Sequence, residues 1–401
     1  MALDVTFYNI DTDMAETKAA NRSLLESIQT PPFLSHKEDI AALRTKLEPY
    51  QKYENILIIG NGGSIWSFMP LYVALADRVN GKTVVPVTDM EPDNINILKA
   101  KYPKETTVVL VISKSGSTVG VIEDLFVFAD YPAIYVTDPA GTIGEIGSRR
   151  NVQIIPHPIV GGRYSTFTCC AYVPAILAGL DVEEIEAGGR RFYGEYSDLD
   201  DRNNNALDTA LVLNELEDKG YTEMFLPIYS NFFQTFGNIV TQLFHESFGK
   251  VGKGITVVAA QAPESQHHTN QRFFGGRKNM VGCFTRVVNQ IDVVSKVSVP
   301  TELHDIPLRT GTLADIDGLR LTDSFRSEYE GTFTNAKNQN IPIIDIAIAE
   351  VSPYTVGALM AFWHYVTVYS AALRQVDPFD QPQVEASKVI SFEQRKASKQ
   401  S

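Results

Sequence analysis

Thr107-Val-Val-Leu-Val-Ile-Ser113-Lys-Ser-Gly-Ser-Thr118 decides the fold class. Its first half is continuously apolar and rich in β-branched residues, the pattern of a strand buried on both faces. A turn of serine, glycine and threonine follows, and Val119 to Phe128 then takes helical spacing. Such strand-to-helix turns are anion sites, because the first amides of a helix have no partner inside it. Ser113, Ser115, Ser117 and Thr118 add four hydroxyls. A helix cap by Ser117 or Thr118 is the simpler use, but four hydroxyls and a glycine exceed what one cap requires. The spacing and Gly-Lys-Ser/Thr ending of a nucleotide P-loop are absent.

Outward from this unit the same alternation repeats. Upstream, Asn55 to Gly60 is an apolar strand, Asn61-Gly-Gly-Ser64 a turn, Ile65 to Leu75 a helix and Thr83 to Val87 a strand. Downstream, Ala133 to Val136 and Val152 to Ile155 are short strands. Buried strands alternating with helices predict an α/β fold with a doubly wound, mostly parallel sheet, whose ligands bind beyond the carboxyl ends of the strands. Thr166 to Leu180 reads as a long apolar helix, and the polar stretch 183–205 as a helix and linker. A second alternation follows, with strands at Met224 to Tyr229, Ile255 to Ala259, Cys283 to Val288, Val293 to Val299 and Ile343 to Ile348. Gln261 to Asn270 reads as a polar loop. The halves look like a loose duplication of one architecture. The predicted organisation is an N-terminal helical segment over 1–50, opening on a short strand-like start (Val5, Phe7) and packed on the first domain; α/β domains over 51–185 and 206–350; and C-terminal helices over 351–401, with a fraying tail from Phe392.

Composition bounds the function. The chain has 401 residues, 48 acidic against 35 basic, and a formal charge of -13. That balance argues against nucleic acid or an anionic membrane surface as partner. No apolar run is read as a membrane span, and Met1 to Glu16 lacks a signal-peptide pattern. Three cysteines form neither a disulfide framework nor a zinc spacing. The expectation is a cytoplasmic protein.

Five further constellations bear on chemistry. Gly60-Asn-Gly-Gly-Ser64 lets backbone approach a ligand, but lacks the glycine spacing of a dinucleotide site, so no nicotinamide cofactor is implied. Gly161-Gly-Arg163-Tyr-Ser165 holds a fixed cation where an oxyanion can develop, or simply a loop arginine paired with a surface carboxylate. His245-Glu-Ser-Phe-Gly-Lys250 closes an apolar-periodic helix that includes Phe236, Ile239, Val240 and Leu243. Glu246 thus lies in a last helical turn, where a half-buried carboxylate suits a base for carbon acids. Lys250 suits the negative end of that helix. Gln266-His267-His268 is a polar pair of histidines with no Cys or Asp cluster to complete a metal site, so metal is not expected. The simplest use of Glu385 and Lys388 is an i,i+3 pair on a surface helix.

Taken in order, Ser113–Thr118, Gly161-Gly-Arg-Tyr-Ser165, Glu246-Ser-Phe-Gly-Lys250 and Phe379-Asp-Gln-Pro-Gln-Val-Glu-Ala-Ser-Lys388 closely resemble the glucose-6-phosphate isomerase family. Glu330-Gly-Thr332 and Ser352-Pro-Tyr-Thr-Val-Gly357 resemble its connecting segments. The modest length resembles its shorter bacterial or archaeal form. The resemblance implies two sugar-isomerase (SIS) domains and interconversion of glucose 6-phosphate and fructose 6-phosphate through a cis-enediolate, without a cofactor. It implies that Ser113, Ser115, Ser117 and Thr118 hold the phosphate and that Gly62 and Ser64 line the sugar. Glu246 matches the base, Arg163 the enediolate-stabilising cation, Lys388 a residue assisting ring opening, and Gln381 the glutamine beside it. It also implies a homodimer with shared sites, one subunit lending a ring-opening histidine to the other. Longer members' histidine falls at Phe274 here; His267 aligns with an upstream histidine, with His268 as the alternative. Gln383 replaces a usual glycine, and Ile65-Trp66 departs from the usual residues. A dual-specificity isomerase accepting mannose 6-phosphate and a non-catalytic sugar-phosphate sensor are the alternatives. A sensor needs the phosphate loop but not Glu246, Arg163 and Lys388 together.

Overall fold

The computed structural model describes residues 2–79, 81–290 and 296–399. β1 (Leu3–Tyr8) opens the chain. β2 (Asn55–Ile59), β3 (Thr83–Val87), β4 (Thr107–Ser113), β5 (Ala133–Thr137) and β6 (Gln153–Pro156) form one sheet in the order β3-β2-β4-β5-β6, parallel throughout. β7 (Glu223–Tyr229), β8 (Thr256–Gln261) and β9 (Met280–Val287) belong to a second sheet. A small ribbon, β10 (Pro307–Leu308) and β11 (Gly311–Thr312), precedes its last strand, β12 (Ile343–Ile348). The second sheet runs β1-β12-β9-β7-β8, and only β1 is antiparallel.

The two sheets share one winding. In each, the first strand of the unit steps outward to the second, and the chain then crosses back to lay the third on the other side. β8-β7-β9-β12 repeats β3-β2-β4-β5 strand for strand. The duplication expected from the alternation is therefore real at the level of topology. Every residue of β4 is buried, which accounts for its unbroken apolar run. Between β2 and β4 the winding reverses, and the loops after these strands flank that reversal, where open α/β sheets bind ligands.

One helix, Pro353–Leu373, runs through the interior. Ser352 and Thr355 form its capping box and Pro353 stands in its first turn. Its length and hydropathy match those of a membrane span, contrary to the expectation that no run does, but 94% of its apolar window is buried inside the protein. It packs against the helices Val182–Ser197 and Asn205–Asp218. The first contact is very close: a Cβ on Gly188 would meet the Tyr354 carbonyl at 2.1 Å, and one on Gly357 the Ile185 carbonyl at 2.1 Å. One continuous core joins Ile56, Leu110 and Ile112 of the first sheet to Leu226 and Ile228 of the second through Leu359, Phe362 and Trp363 of this helix.

Several local expectations change. Residues 1–50 do not all pack on the first sheet: β1 pairs with β12 at the edge of the second, Leu3 opposite Ile348. The strand-like start read at Val5 and Phe7 is this strand. The apolar helix after Arg163 is shorter than predicted, Cys169–Ala178, because Thr168 caps it by accepting from the Cys170 amide. Val182–Ser197 is a packed helix with one buried face, and only residues 198–204 connect it onward. The supposed loop 261–270 carries a 3-10 turn, Glu264–His267, and starts the helix Thr269–Gly275. Of the strand expected over 293–299, residues 293–295 lie outside the described residues. Lys296 makes an isolated bridge to Arg320, and residues 297–299 are irregular. The tail does not fray from Phe392, since Glu385–Ser398 is a helix.

Candidate active site

Arg163 sits in a single 3-10 turn, Gly162–Tyr164, on the connection between β6 and the helix Cys169–Ala178. Its side chain is only 2% exposed. A guanidinium has five N–H donors, and all five are used here. Nε donates to Ser247 Oγ at 2.7 Å. Nη1 donates to Glu246 Oε2 at 2.9 Å and to Gln381 Oε1 at 2.8 Å. Nη2 donates to the carbonyls of Pro378 at 2.6 Å and Asp380 at 3.0 Å. A buried charge persists only when paired and hydrogen-bonded in this way. The surface-arginine alternative is thereby excluded.

Glu246 projects from the last turn of the helix Phe236–Ser247, which packs on β8. Its second oxygen, Oε1, accepts from Gln242 Nε2 at 3.0 Å, one turn back on the same helix face. The carboxylate is therefore fixed at both oxygens while its side chain stays 29% exposed. Behind it, the Tyr164 hydroxyl lies 3.0 Å from Ser247 Oγ. His245 points elsewhere, as the 100° step of a helix requires: its Nε2 accepts from the Val257 amide at 3.1 Å. Burial lowers its pKa, in keeping with a structural acceptor.

The turn after β2 meets this cluster directly. Gly62 has a left-handed φ of 54°, and a Cβ there would lie 2.9 Å from Gln242 Nε2. A Cβ on Gly63 would meet the Gly162 carbonyl carbon at 2.1 Å and the Arg163 amide at 2.3 Å. The glycines thus set the first sheet's turn against the Arg163 turn and the Glu246 helix. Ser64, buried, is the second residue of the short helix Gly63–Trp66 that follows. After β4, Ser115 Oγ accepts from the Ser117 amide at 3.3 Å and from Ser117 Oγ at 3.1 Å, and Ser113 Oγ lies 3.4 Å from Thr118 Oγ1. Thr118 stands at the N-cap of the helix Val119–Val127 without a side-chain cap bond, so the cap use of these hydroxyls is not realised. The first helical amides remain available to an anion.

Lys388 does not join the cluster within this chain. It lies on the helix Glu385–Ser398, 59% exposed, and donates to Glu385 Oε1 at 2.7 Å, the surface i,i+3 pair. Gln381 lies in the turn before that helix, where it reaches Arg163. His267 and His268 are exposed at the end of the Glu264–His267 turn. His268 bonds to Glu264 Oε2 and Thr269 Oγ1, both at 2.6 Å, and nothing links either histidine to Glu246 among the described residues.

Three participants were missed in the sequence. Gln242 carried one signal, its i−4 spacing from Glu246. Ser247 was quoted but given no role. Lys250 does more than end a helix: nearly fully buried, it donates to the Asp377 carbonyl, to the Asp380 carbonyl at 2.8 Å and to the Asp380 carboxylate. Lys250 and Arg163 together tie the turn 377–381 over the helix end.

No family model matches the chain. Among curated relatives, it is 27% identical over 364 residues to a probable glucose-6-phosphate isomerase of Methanococcus maripaludis, covering 87% of this chain and 80% of that protein. It is 25% identical over 357 residues to the glucose-6-phosphate isomerase of Methanocaldococcus jannaschii, covering 86% of each. Among solved structures, a hypothetical protein of Thermus thermophilus superposes with a TM-score of 0.84 at 25% identity, over 98% of this chain and 99% of that one. A glucose-6-phosphate isomerase of Chlamydia trachomatis shares the fold with a TM-score of 0.79 at 16% identity, over 99% of this chain and 89% of that one. The Arg163–Glu246 cluster thus stands in a chain that is similar over most of its length to archaeal glucose-6-phosphate isomerases and that has the SIS-type α/β fold.

Proposed function

We propose that this chain is an aldose–ketose isomerase that interconverts glucose 6-phosphate and fructose 6-phosphate, a step of glycolysis and gluconeogenesis. The observation that carries the reading is the Glu246 carboxylate, clamped between Arg163 and Gln242 beneath the Gly62 turn yet still accessible. In the open-chain aldose, Glu246 takes the proton from C2. The C2–H electrons form the C1=C2 bond, and the carbonyl π electrons move to O1. The resulting cis-enediolate lies in the field of the Arg163 cation. Glu246 returns the proton to C1, O2 gives up its proton as C2=O forms, and O1 gains one. Nothing is oxidised or reduced overall, so no redox cofactor is required. Gln242 Oε1, buried and without a hydrogen-bond partner among the described residues, is an acceptor for a sugar hydroxyl beside the carboxylate.

Ser113, Ser115, Ser117, Thr118 and the first amides of Val119–Val127 hold the phosphate, while Gly62, Ser64 and Gln381 line the sugar. Lys388 and His267 serve ring opening, His267 in the site of a second subunit. This makes the active form a homodimer with shared sites, in the cytoplasm. The units are 51–185 and 206–350, flanked by 1–50 and 351–401.

The test is Glu246→Gln, which keeps the bonds to Arg163 and Gln242 within reach but removes the base. The expected result is a kcat lowered by about 10³-fold with KM nearly unchanged, and loss of deuterium uptake from D2O into the sugar. An unchanged rate removes Glu246 from this role.

A further inference from the structure

At the carboxyl end of the second sheet a cavity of about 370 Å³ opens between the helices Thr269–Gly275 and Leu321–Asn338. Gln266, Asn270, Phe274, Glu328, Thr332 and Asn335 line it. The winding of the second sheet reverses between β7 and β9, as that of the first does between β2 and β4. Tyr229, the last residue of β7, lies behind the cavity beside Thr332 and Gln266. Its walls come from the segment after β8 and the helix before β12, so it opens on the carboxyl side of the second sheet, the side that open α/β sheets use for ligands.

Its polar atoms are incompletely paired. Asn270 is only 6% exposed, and its Oδ1 has no hydrogen-bond partner among the described residues. Asn270 Nδ2 makes one long bond, 3.4 Å, to Thr332 Oγ1. Buried groups of this kind normally have partners, so the open acceptor of Asn270, a residue of the cavity wall, points to an occupant that donates. The wall has a definite chemistry: amides, hydroxyls, the Phe274 ring and the Glu328 carboxylate, which already accepts from Gln266 Nε2 at 2.9 Å. No lysine or arginine lines the cavity among the described residues. A phosphate would meet a carboxylate there and no cation. A molecule bearing several hydroxyls and no charge fits: hydroxyls pair with amides and carboxylate, and an apolar C–H face lies on the ring.

We propose that this cavity binds a neutral polyhydroxylated molecule, an unphosphorylated sugar or polyol, at a site separate from the Glu246 centre. Saturation-transfer NMR on the full chain with D-fructose, D-glucose and D-sorbitol tests it, the Glu246 centre being filled with fructose 6-phosphate at its isomerisation equilibrium. The expected result is saturable binding of at least one of the three, with Kd in the millimolar range. Thr332→Val and Asn270→Leu weaken it at least tenfold while keeping the isomerase rate, which also reports that both variants fold. Glu246→Gln leaves it unchanged. Absence of saturation up to about 100 mM, a range in which millimolar affinities are fully visible, overturns the assignment and leaves the cavity to ordered water. So does binding that Thr332→Val and Asn270→Leu leave intact, or binding that fructose 6-phosphate displaces.

Discussion

At the scale of the residue, Arg163 shows why a side chain and its role are legible separately. Gly161-Gly-Arg marks a cation held close to backbone, but its five acceptors come from Glu246, Ser247, Pro378, Asp380 and Gln381, more than 80 residues downstream. No local spacing encodes that set. Arg163→Lys keeps the charge but cannot fill a planar five-bond fork, so kcat is expected to fall at least about 100-fold and stability by on the order of 2–4 kcal/mol. Steady-state kinetics and urea unfolding measure the two. Asp124 was given no role in the sequence, because only the fold shows it buried. It is 3% exposed on the helix Val119–Val127, and its Oδ1 has no hydrogen-bond partner among the described residues. Burial first, then Asp89 and Glu123, pushes its pKa up to about 7. Its ordinary value is about 3.8. Between these two values the folded chain holds a proton that the unfolded chain releases. This group therefore lowers stability progressively as pH rises from about 4 to about 7, and the cost stays constant above that. Asp124→Asn removes the cost. Its melting temperature is expected to exceed the parent's by roughly 2–4 °C at pH 8, with the difference shrinking toward pH 4. A pH-independent difference would disprove the assignment of that titration to Asp124.

At the scale of the element, βα units were legible and connections were not. β2, β4, β7 and β12 read directly because burial on both faces leaves mostly apolar residues, the buried Asp345 of β12 being paired with Arg286. The helix Thr269–Gly275 was missed because its polar residues gave no apolar period. β1 was misplaced because its partner strand lies more than 330 residues away, and antiparallel edge pairing leaves no trace in a local window. The turn 377–381 is the least legible element, and the one that most shapes the site. It has no regular structure and is held by Lys250 and Arg163. The helix that follows, Glu385–Ser398, has no buried residue and is fastened to the first unit by Arg395 and Glu123, at 2.7 and 2.9 Å. Lys250 is thus the anchor that decides where Gln381 and the start of that helix lie. Lys250→Met keeps the stem's packing and removes all three bonds to the turn. Amide exchange is expected to accelerate at least tenfold across 377–384 and little elsewhere, with a rise in KM for the sugar phosphate. Uniform acceleration over the whole chain would instead make Lys250 a global stabiliser.

At the scale of the whole molecule, two copies of one winding share a core through the helix Pro353–Leu373, and the candidate base and its anion loop sit on different copies. This division explains what the ordered motifs could and could not convey. Each motif marks the carboxyl end of one strand or helix, but only the packing of the two sheets brings Gly62 onto Gln242 and Gly63 onto the Arg163 turn. His267 is left on the surface, without a link to Glu246 among the described residues. If it completes the site of a second copy, each site takes Glu246 from one chain and His267 from the other. Two variants then complement. Glu246→Gln and His267→Ala homodimers each lack one group in both sites. A dimer of one with the other has one site lacking both groups and one site lacking neither. Equal amounts, dissociated and reassociated at random, give about half mixed dimers, and hence about a quarter of the wild-type rate. Coupled assay of the mixture before and after subunit exchange measures it. A mixture that stays at the mean of the two variants' rates places His267 in the service of its own chain or outside the reaction, and activity of the mixture that appears only after exchange assigns the histidine to the neighbouring site.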